Sequence, residues 1–373
     1  MNDSAPRIWL LIGDKLGDNA QVQAIVERLN LPCTLKRLLP QAAYVKGKPR
    51  FAASLDHLDL SRSDPLEAPW PDMIITIGRR HAMAALWVKA RHPATRIVLL
   101  GRPRRWIEKF DLVITPPQYQ MPALPNTLRL ELPLMRPDPQ AISGAADAWA
   151  ERFSTLDRPL IGVLIGGPTH PLRLDKTVAR TLLAQCRELA ERYRATLYFS
   201  TSRRTPAGVV ATIDAERPEN SRLYAWSANA GDNPYQALLG LADYFIVTGD
   251  SMSMMTEAAA CGKPVAIFPL PASGLGRLWL HIKKALFAEQ HDSLAGRLYA
   301  AIGRALYASG ITGFGRDLGR IHAHFIKLGL ATWPEQAFEP PRTALPDELQ
   351  AVCRRIQALL ADTRHTHTRP DPE

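Results

Sequence analysis

The sequence predicts an α/β protein built from two successive domains, each with a parallel sheet covered by helices. The chain has 373 residues, enough for two domains of ordinary size. Apolar residues make up 46% of the chain and charged residues 22%, which are values typical of a globular protein. Short apolar segments alternate with amphipathic segments, the pattern of strands and helices around a parallel sheet.

The first series of elements occupies the N-terminal third of the chain. Each predicted strand is a short apolar run bounded by glycine, proline or polar residues. We predict strands at 7–13, 72–78, 96–101 and 110–116, and helices at 19–30 and from Arg80 to about Ala90. A proline-rich segment at 131–140 then predicts an interdomain connector.

The series restarts after this connector, with strands and helices of similar length. We predict strands at 159–167, 195–202, 243–249 and 264–270, and helices at about 176–193, 233–242 and about 252–261. Two such series predict two Rossmann-like domains that face each other across a cleft. Ligands of such sheets bind beyond the carboxyl ends of the strands, so we expect the site there.

These patterns also predict domain boundaries. We place the N-terminal domain at 1–140 and the C-terminal domain at 150–310. We expect helices in 311–345 that pack back across the domains. The last segment, 346–373, is predicted to hold a terminal helix and a disordered tail.

The charge and the cysteine content of the chain limit the kinds of partner and of protein class to be expected. Lysine and arginine number 46 against 36 aspartates and glutamates, an excess that favours anionic partners such as nucleotides, phosphorylated acceptors or an anionic membrane surface. The sequence has no zinc finger, aromatic RNA-binding strand or basic recognition helix, so we expect no nucleic-acid partner. The four cysteines have no paired spacing, which argues against a disulfide framework.

The apolar runs are short. None approaches the roughly 18 residues of a membrane-spanning helix, and the first residues lack the basic start of a signal peptide. We therefore expect a cytoplasmic protein. A peripheral position on the inner face of the cytoplasmic membrane is the alternative.

The most informative segment is 246–264, where a predicted strand ends in a small polar turn and a helix begins at once. The free N–H groups and positive end of such a helix form an anion site. We predict that Ser251 and Ser253 cap this helix and donate to phosphate oxygens, and that Glu257 binds two vicinal ribose hydroxyls. The nucleotide-contacting residues predicted here are Asp250, Ser251, Met252, Ser253 and Glu257. The alternative is a plain capped helix with a glutamate facing solvent.

Two further turns follow strands of the second series. Glycines let a backbone approach a ligand closely, and two arginines can neutralise a diphosphate leaving group without a metal. The predicted nucleotide-binding residues of these turns are Gly166, Gly167, Thr169, Ser202, Arg203 and Arg204. No D-x-D motif is present, so we expect neither a metal nor a bound cofactor. The alternatives are a tight structural turn and solvated arginines.

The loop after the first strand, Gly13–Gln21, carries two carboxylates, which would repel a phosphate but suit a hydroxyl group. Asp14 is the first candidate for a general base and Asp18 the second, because Asp18 and Gln21 have the spacing of a capping box. Arg79, Arg80 and Arg104 follow two later strands. We predict that these arginines line the acceptor or phosphate side of the site.

Taken together, the motifs GDKLGDNAQ, TIGRRHAMAAL, IGGPTH, TSRRTP, DNPYQALLGLADYFIVTGDSMSMMTEAAACGKPV and GFGRDLGRIHAHF resemble the bacterial branch of the mitochondrial-fission (elongated-mitochondria) family. The resemblance extends from about residue 7 to 335. Its most specific block is also similar, more loosely, to the donor-site segment of the lipid-linked N-acetylglucosaminyltransferase of peptidoglycan synthesis. Glu257, Gly262 and Pro264 match the ribose-binding pattern of that segment, and Gly166 and Gly167 match its glycine-rich loop.

The resemblance implies a GT-B fold, a nucleoside-diphosphate sugar as donor and no essential metal. The expected function is a glycosyltransferase that holds the donor in the C-terminal domain and a membrane-associated or other acceptor in the N-terminal domain. One alternative is a non-catalytic, membrane-peripheral scaffold, for which the segment 274–287 mixes apolar and basic residues. Another is a nucleotide-sugar epimerase or hydrolase.

Overall fold

The structure, a computed structural model, describes residues 5–366 except 48, 120, 136, 229–231 and 288–292. The last seven residues of the predicted disordered tail therefore lie outside the described residues. The predicted terminal helix is present, and it spans Glu348–Thr366. No helix in the described part of the chain is long and apolar enough to cross a membrane.

The chain divides into two compact units. The first unit comprises Met1–Leu134, Ile282–Arg316 and Asp347–Glu373, and the second comprises Met135–His281 and Asp317–Pro346. The chain thus leaves the first unit and returns to it twice. The first change of unit falls within the predicted connector.

Each unit contains a parallel sheet. In chain order, the strands of the first unit are β1 (Ile8–Ile12), β2 (Cys33–Arg37), β3 (Met73–Ile77), β4 (Arg96–Leu100), β5 (Leu112–Thr115) and β6 (Thr127–Arg129). Those of the second unit are β7 (Leu160–Ile165), β8 (Thr196–Thr201), β9 (Arg222–Tyr224), β10 (Tyr244–Thr248) and β11 (Val265–Phe268). The strand orders are β2-β1-β3-β4-β5-β6 and β11-β10-β7-β8-β9.

Helices follow most of the strands. They are α1 (Leu16–Leu29), α2 (Ala42–Lys46), α3 (Gly78–Arg91), α4 (Pro139–Ser154), α5 (Lys176–Tyr193), α6 (Ala207–Glu216), α7 (Tyr235–Leu241), α8 (Met252–Ala260), α9 (Gly274–Leu286), α10 (Leu294–Ala308), α11 (Leu318–Lys327) and α12 (Glu348–Thr366). The two parallel sheets with these helices confirm the predicted α/β class. The predicted cleft between the domains stays a prediction.

The central strands are apolar along their whole length because both faces of each sheet are covered. In β1, Ile8, Leu10 and Ile12 belong to a core shared with α1 and α12. Trp9 and Leu11 point the other way, into a core shared with α3. This alternation follows from the two-residue period of a strand, and the carboxyl ends of the strands remain at one edge.

Three strands were not predicted from the sequence, namely β2, β6 and β9. All three lie at the end of a sheet, where a strand is covered less and its sequence need not be apolar. β2, for example, reads CTLKR and has no fully buried residue. Such strands are recognised only through pairing with a neighbour.

The structure also corrects the predicted range 150–310 of the C-terminal domain, since Ile282–Arg316 belongs to the first unit. The Arg102 guanidinium donates to the Phe314 carbonyl, and Arg104 donates to Ile311 O at 3.2 Å. Phe314 is buried in the core on the α3 side of the first sheet. These contacts join residues about two hundred positions apart, which a local sequence pattern does not reveal.

Candidate functional site

The carboxyl ends of β7, β8 and β10 meet at one edge of the second sheet, because these three strands are neighbours. The turns that follow them carry the predicted nucleotide-binding residues. β7 leads into Gly166 and Gly167, β8 into Ser202–Arg204, and β10 into Gly249–Ser251. The predicted residues therefore meet at one edge of the second sheet, and a donor site at this edge stays a prediction.

Asp250 forms the centre of this edge, but its carboxylate is fully buried. Its Oδ2 accepts hydrogen bonds from the Gly167 N–H and from Arg204 Nη2, both at 2.8 Å. Its Oδ1 accepts one from Thr248 Oγ1 at 2.8 Å. Burial raises the pKa of Asp250, while Arg204 and these hydrogen bonds oppose that rise. The predicted nucleotide contact is therefore corrected, since Asp250 positions the turns and has no surface left for a ligand.

The two glycines after β7 are needed because the chain approaches itself there. A Cβ on Gly166 would overlap the Asp250 carboxylate, and one on Gly167 would overlap the Arg204 backbone. The Gly166 N–H also donates to Thr248 Oγ1 at 2.8 Å. Both glycine N–H groups are thus occupied within the protein, and the predicted close approach of a ligand to this turn stays a prediction.

The two arginines after β8 have different surroundings. Arg204 donates to Asp250 and, through Nη1, to Thr169 Oγ1 at 3.0 Å. Ser202 Oγ accepts from the Arg204 N–H at 3.3 Å, so both Ser202 and Thr169 support the turn. The Arg203 side chain is exposed and has no hydrogen bond or ion pair with any described residue. Arg203 is therefore the guanidinium available to an anion.

Helix α8 begins directly at this edge with an open N-terminus. Ser251 occupies the N-cap position, but its side chain makes no capping hydrogen bond, so the predicted capping by Ser251 and Ser253 is corrected. The N–H groups of Met252, Ser253 and Met254 have no acceptor among the described residues. The helix ends as predicted, with Gly262 at a φ of 70° after the last turn.

Glu257 lies further along α8, and its partner is Tyr235 at the start of α7. The Tyr235 hydroxyl donates to Glu257 Oε2, while Glu257 Oε1 has no hydrogen bond with any described residue. Burial raises the pKa of Glu257, and the Tyr235 hydrogen bond opposes that rise. Burial and the adjacent Glu257 carboxylate raise the pKa of Tyr235, so it remains the proton donor. The sequence segment contained this tyrosine, but nothing in its spacing indicated the pairing.

His322 on α11 supports the turn after β10 at the same edge. Its Nε2–H donates to the Gly249 carbonyl at 2.6 Å, and a Cβ on Gly249 would overlap its ring. Burial lowers the pKa of His322, so the ring stays neutral at neutral pH. His322 comes from the GFGRDLGRIHAHF motif, whose role the sequence did not indicate.

In the first unit, the loop after β1 is held by Asn19 and presents Asp14. Asn19 is buried and its side-chain amide bonds both the N–H and the carbonyl of Gly13. Asp14 Oδ1 accepts a hydrogen bond from Arg80 Nη2 at 2.8 Å. The sequence showed no partner for Asp14. The structure provides one from α3, the helix that follows the neighbouring strand β3.

His81, the next residue after Arg80, was not predicted to have a role. Its Nδ1–H donates to the Ile77 carbonyl at 2.9 Å, so in the neutral ring Nε2 is an acceptor. The ring packs against Gly13, where a Cβ would overlap Nε2. Burial lowers the pKa of His81. A neutral imidazole therefore lies beside the Asp14 loop as a second candidate base.

Asp18 does not form the predicted capping box. Helix α1 begins at Leu16 with Lys15 as N-cap, so Asp18 lies inside the first turn rather than before it. Its carboxylate pairs with Lys15 Nζ at 3.8 Å, and Gln21 donates to the Gly17 carbonyl instead. An acidic residue in a first turn interacts favourably with the helix dipole.

The predicted arginines of the first unit separate into two groups. Arg80 is engaged by Asp14 and by the Tyr44 carbonyl at 3.3 Å. Arg79 donates to the Pro49 carbonyl, and Arg104 donates to Ile311 O. Only Arg80 therefore belongs to the Asp14 loop.

A metal centre receives no support from the described residues, which contain no group of three or more His, Cys, Asp or Glu able to hold an ion. All four cysteines are free. The chemistry available at both sheet edges consists of carboxylates, arginines, an imidazole and backbone N–H groups.

The fold and these edges define a class of protein: an α/β chain with two Rossmann-like units whose turns present backbone N–H, arginine and carboxylate groups. Within this class, the chain belongs to the mitochondrial fission ELM1 family, whose model matches residues 17–297. The family resemblance noted in the motifs is thereby confirmed.

Two relatives illustrate this membership. The mitochondrial fission protein ELM1 of Arabidopsis thaliana is 31% identical over 200 residues, which are 46% of this chain and 45% of that protein. The chain therefore matches less than half the length of this relative. An uncharacterized protein of Rickettsia prowazekii, RP120, is 26% identical over 297 residues, which are 71% of this chain and 83% of that protein.

Solved structures show weaker similarity. A UDP-GlcNAc 2-epimerase from Methanocaldococcus jannaschii is 9% identical, with a TM-score of 0.45 over 86% of this chain and 99% of its own. MurG of Acinetobacter baumannii is 14% identical, with a TM-score of 0.41 over 95% of this chain and 100% of its own. Similarity at this level assigns no activity to the chain.

Proposed function

We propose that this protein is a metal-independent glycosyltransferase that holds a nucleoside-diphosphate sugar at the β7–β8–β10 edge of the second unit. The observation that carries the proposal is the open N-terminus of α8 in front of Glu257. Three N–H groups without acceptors and one free carboxylate oxygen lie on the same short helix. The N–H groups suit a diphosphate, and the carboxylate oxygen suits a ribose hydroxyl.

The individual roles follow from this arrangement. The N–H groups of Met252 and Ser253 would bind the diphosphate, and Glu257 Oε1 would accept a hydrogen bond from the ribose. Arg203 would stabilise the charge that develops on the departing diphosphate. Arg204 and Asp250 would hold the turns in place.

The acceptor side of the proposal is the loop of the first unit that presents Asp14. A general base must be a carboxylate or imidazole that can reach the acceptor hydroxyl. Asp14 meets the chemical requirement, and its hydrogen bond from Arg80 orients it. His81, whose Nε2 lies beside Gly13, is the other candidate.

Nucleotide binding to the Glu257→Gln variant tests the donor site. We expect calorimetry of the unchanged chain with nucleoside diphosphates to show binding, and Glu257→Gln to weaken it by roughly 1–3 kcal/mol, the value of a charged hydrogen bond. The titrations are made with excess chelator, because the proposed site needs no divalent cation.

Glu219→Gln is the matched control, because Glu219 is an exposed glutamate of the same unit. Equal affinities of Glu257→Gln and the unchanged chain would reject the ribose role. Binding that appears only when magnesium or manganese is added would reject the metal-free site. Turnover of the donor without an acceptor would instead favour the nucleotide-sugar hydrolase or epimerase.

A second candidate function, a membrane-peripheral role, is favoured by helices α9 and α10. Each exposes an apolar stripe with the spacing of one helix face, and the exposed fractions of these side chains lie between 40% and 85%. The stripes are Leu275, Leu278, Trp279 and Ile282 on α9, and Leu294, Leu298, Tyr299 and Ile302 on α10. The two helices carry five Lys or Arg residues, three on α9 and two on α10, and no Asp or Glu. Apolar stripes flanked by basic residues suit an anionic lipid surface.

A further inference from the structure

Four arginines of the first unit lie close together. Arg79 follows β3, Arg102 and Arg104 follow β4, and Arg316 ends the segment that returns to this unit. Because β3 and β4 are neighbours, their carboxyl ends bring the first three together. Arg316 joins them through a β-bridge with Tyr119, whose ring lies 5.1 Å from the Arg102 guanidinium. We call these four residues the arginine cluster.

The arginine cluster has no anionic partner in the described part of the chain. Arg79, Arg102 and Arg104 donate to the backbone carbonyls of Pro49, Phe314 and Ile311. None of the four arginines forms an ion pair with a described carboxylate. The Nε atoms of Arg79 and Arg316 are buried and have no hydrogen-bond partner among the described residues.

Mutual repulsion shows that these charges act on one another. The pKa of Arg79 is lowered by burial and then by Arg104. Burial lowers the pKa of Arg102, Tyr119 opposes this, and Arg316 and Arg104 lower it further. Burial, Arg102 and Arg104 also lower the pKa of Lys283 to about 8. Gathering cations away from water without a counterion is unfavourable, and a bound anion would offset that cost.

We propose that the arginine cluster binds a phosphate-bearing ligand, with a diphosphate as the best match to its charge. A guanidinium group can donate two parallel hydrogen bonds to phosphate oxygens. The single carbonyl contacts of these arginines leave some of their N–H donors unused.

The cluster belongs to the first unit, whereas the proposed donor edge belongs to the second unit. Its assignment to an acceptor rests on the proposed function, whereas the binding of phosphate does not. A sugar acceptor that carries a phosphate or diphosphate would be held here. The ligand is either a soluble phosphate compound or the headgroup of a lipid phosphate, since both present the same group.

Calorimetry of the full chain with inorganic pyrophosphate at low salt tests the proposal, because salt screens such contacts. We expect binding to the unchanged chain and a weakening of about tenfold or more in Arg104→Gln, the effect of losing one charge-assisted contact. Arg79→Gln is the second variant and should weaken binding similarly. Arg62→Gln, which removes an exposed arginine of the same unit, should bind like the unchanged chain.

A second experiment, the binding of the chain to lipid vesicles, distinguishes the two sources of phosphate. If vesicles with phosphatidic acid capture the unchanged chain better than phosphatidylglycerol vesicles do, and Arg104→Gln loses that preference, the ligand is a lipid phosphate. Pyrophosphate binding without that preference identifies a soluble ligand. Both results support the cluster as a phosphate site.

Three results would overturn it: no pyrophosphate binding, equal affinities of Arg104→Gln and Arg79→Gln with the unchanged chain, or an equal loss in Arg62→Gln. Thermal melting of each variant establishes that the fold is retained. Pyrophosphate bound at the N-terminus of α8 should be unaffected by Arg104→Gln and Arg79→Gln, so the affinity that these two variants lose belongs to the cluster. Failure of nucleotide binding at the second unit is therefore distinguishable from failure here.

Discussion

Asp14 and Asp18 lie in one short loop, yet their neighbours give them different roles. Asp14 is oriented by a guanidinium from α3, while Asp18 lies in the first turn of α1 beside Lys15. The sequence already favoured Asp14 as the base, but for a reason that was wrong, because the capping box of Asp18 is absent. The structure replaces that reason with the Arg80 hydrogen bond.

We predict that Asp14→Asn lowers the rate of sugar transfer by about 10²–10⁴-fold, the usual contribution of a general base. Donor affinity should not change, because the base contacts only the acceptor hydroxyl. The comparison is with Asp18→Asn, for which we expect a turnover close to that of the unchanged chain. Steady-state rates and nucleotide affinity of both variants provide the measurement.

Two outcomes would contradict this assignment. Loss of turnover in Asp18→Asn alone would reverse the two roles. If neither variant changes turnover, His81→Gln becomes the decisive variant, because its Nε2 is the next acceptor beside the same loop. A full rate in all three would mean that the base is another residue, whereas no sugar transfer by the unchanged chain would favour the non-catalytic, membrane-peripheral function.

At the scale of elements, α10 is a helix whose apolar face is left open. Leu294, Leu298 and Ile302 recur at intervals of four residues and are all exposed, while Ala300 and Gly303 face inwards. A side chain at Gly303 would overlap the Leu286 backbone, so the end of α9 packs closely on α10. The sequence analysis noted an amphipathic pattern only in 274–287, the segment of α9, whereas burial shows the open face of α10.

We predict that Leu298→Ser lowers the affinity of the protein for vesicles containing an anionic lipid by about tenfold or more. The reason is the loss of one buried leucine, worth about 1.5–3 kcal/mol when fully transferred from water. Co-sedimentation with phosphatidylglycerol vesicles measures the effect. Binding should also weaken as salt rises, because the basic residues of both helices contribute.

Leu60→Ser is the matched control, since Leu60 and Leu298 are both 63% exposed and both belong to the first unit. Its affinity for the vesicles should equal that of the unchanged chain. Similar losses in both variants, or no vesicle binding by the unchanged chain, would contradict a membrane-docking role for α10.

At the scale of the whole molecule, buried histidines link stability to pH. His57 and His81 of the first unit and His322 of the second all have pKa values lowered from 6.5, with burial as the largest cause. In the unfolded chain they titrate at the ordinary value. Between the folded and unfolded values, the unfolded state therefore binds more protons.

We predict that these histidines contribute most to the free energy of unfolding above pH 6.5. Their contribution falls as pH drops from 6.5 through their lowered pKa values. Each histidine contributes at most about 1.4 kcal/mol per pH unit. Melting temperatures of the unchanged chain and His81→Gln between pH 7.5 and 5.5 provide the test. The difference between the two should narrow as pH falls, because only the unchanged chain must protonate His81.

Comparing the two chains removes the opposing effect of buried carboxyls. Burial raises the pKa values of Asp250, Glu257 and Glu348, so these groups favour the folded state as pH falls toward their unfolded values. They are present in both chains and cancel in the difference. A constant difference in melting temperature across this pH range would contradict the assigned role of His81.

The sequence by itself determined the two α/β series, the central strands and the turns at their carboxyl ends. The physical reason is that periodicity, glycine turns and helix starts are local properties. Helix α5 spans the predicted 176–193, and β4 lies inside the predicted strand at 96–101. Local patterns therefore located both candidate edges before any contact was known.

Only the tertiary structure decided which of those edge residues remain free to act. Asp250 is paired with Gly167, 83 positions away, and Glu257 is paired with Tyr235 rather than facing solvent. Ile282–Arg316 returns to the first unit because its carbonyls and Phe314 meet Arg102 and Arg104. Such partnerships depend on how distant segments pack, so burial and charge pairing at these sites follow from the folded chain and not from local sequence.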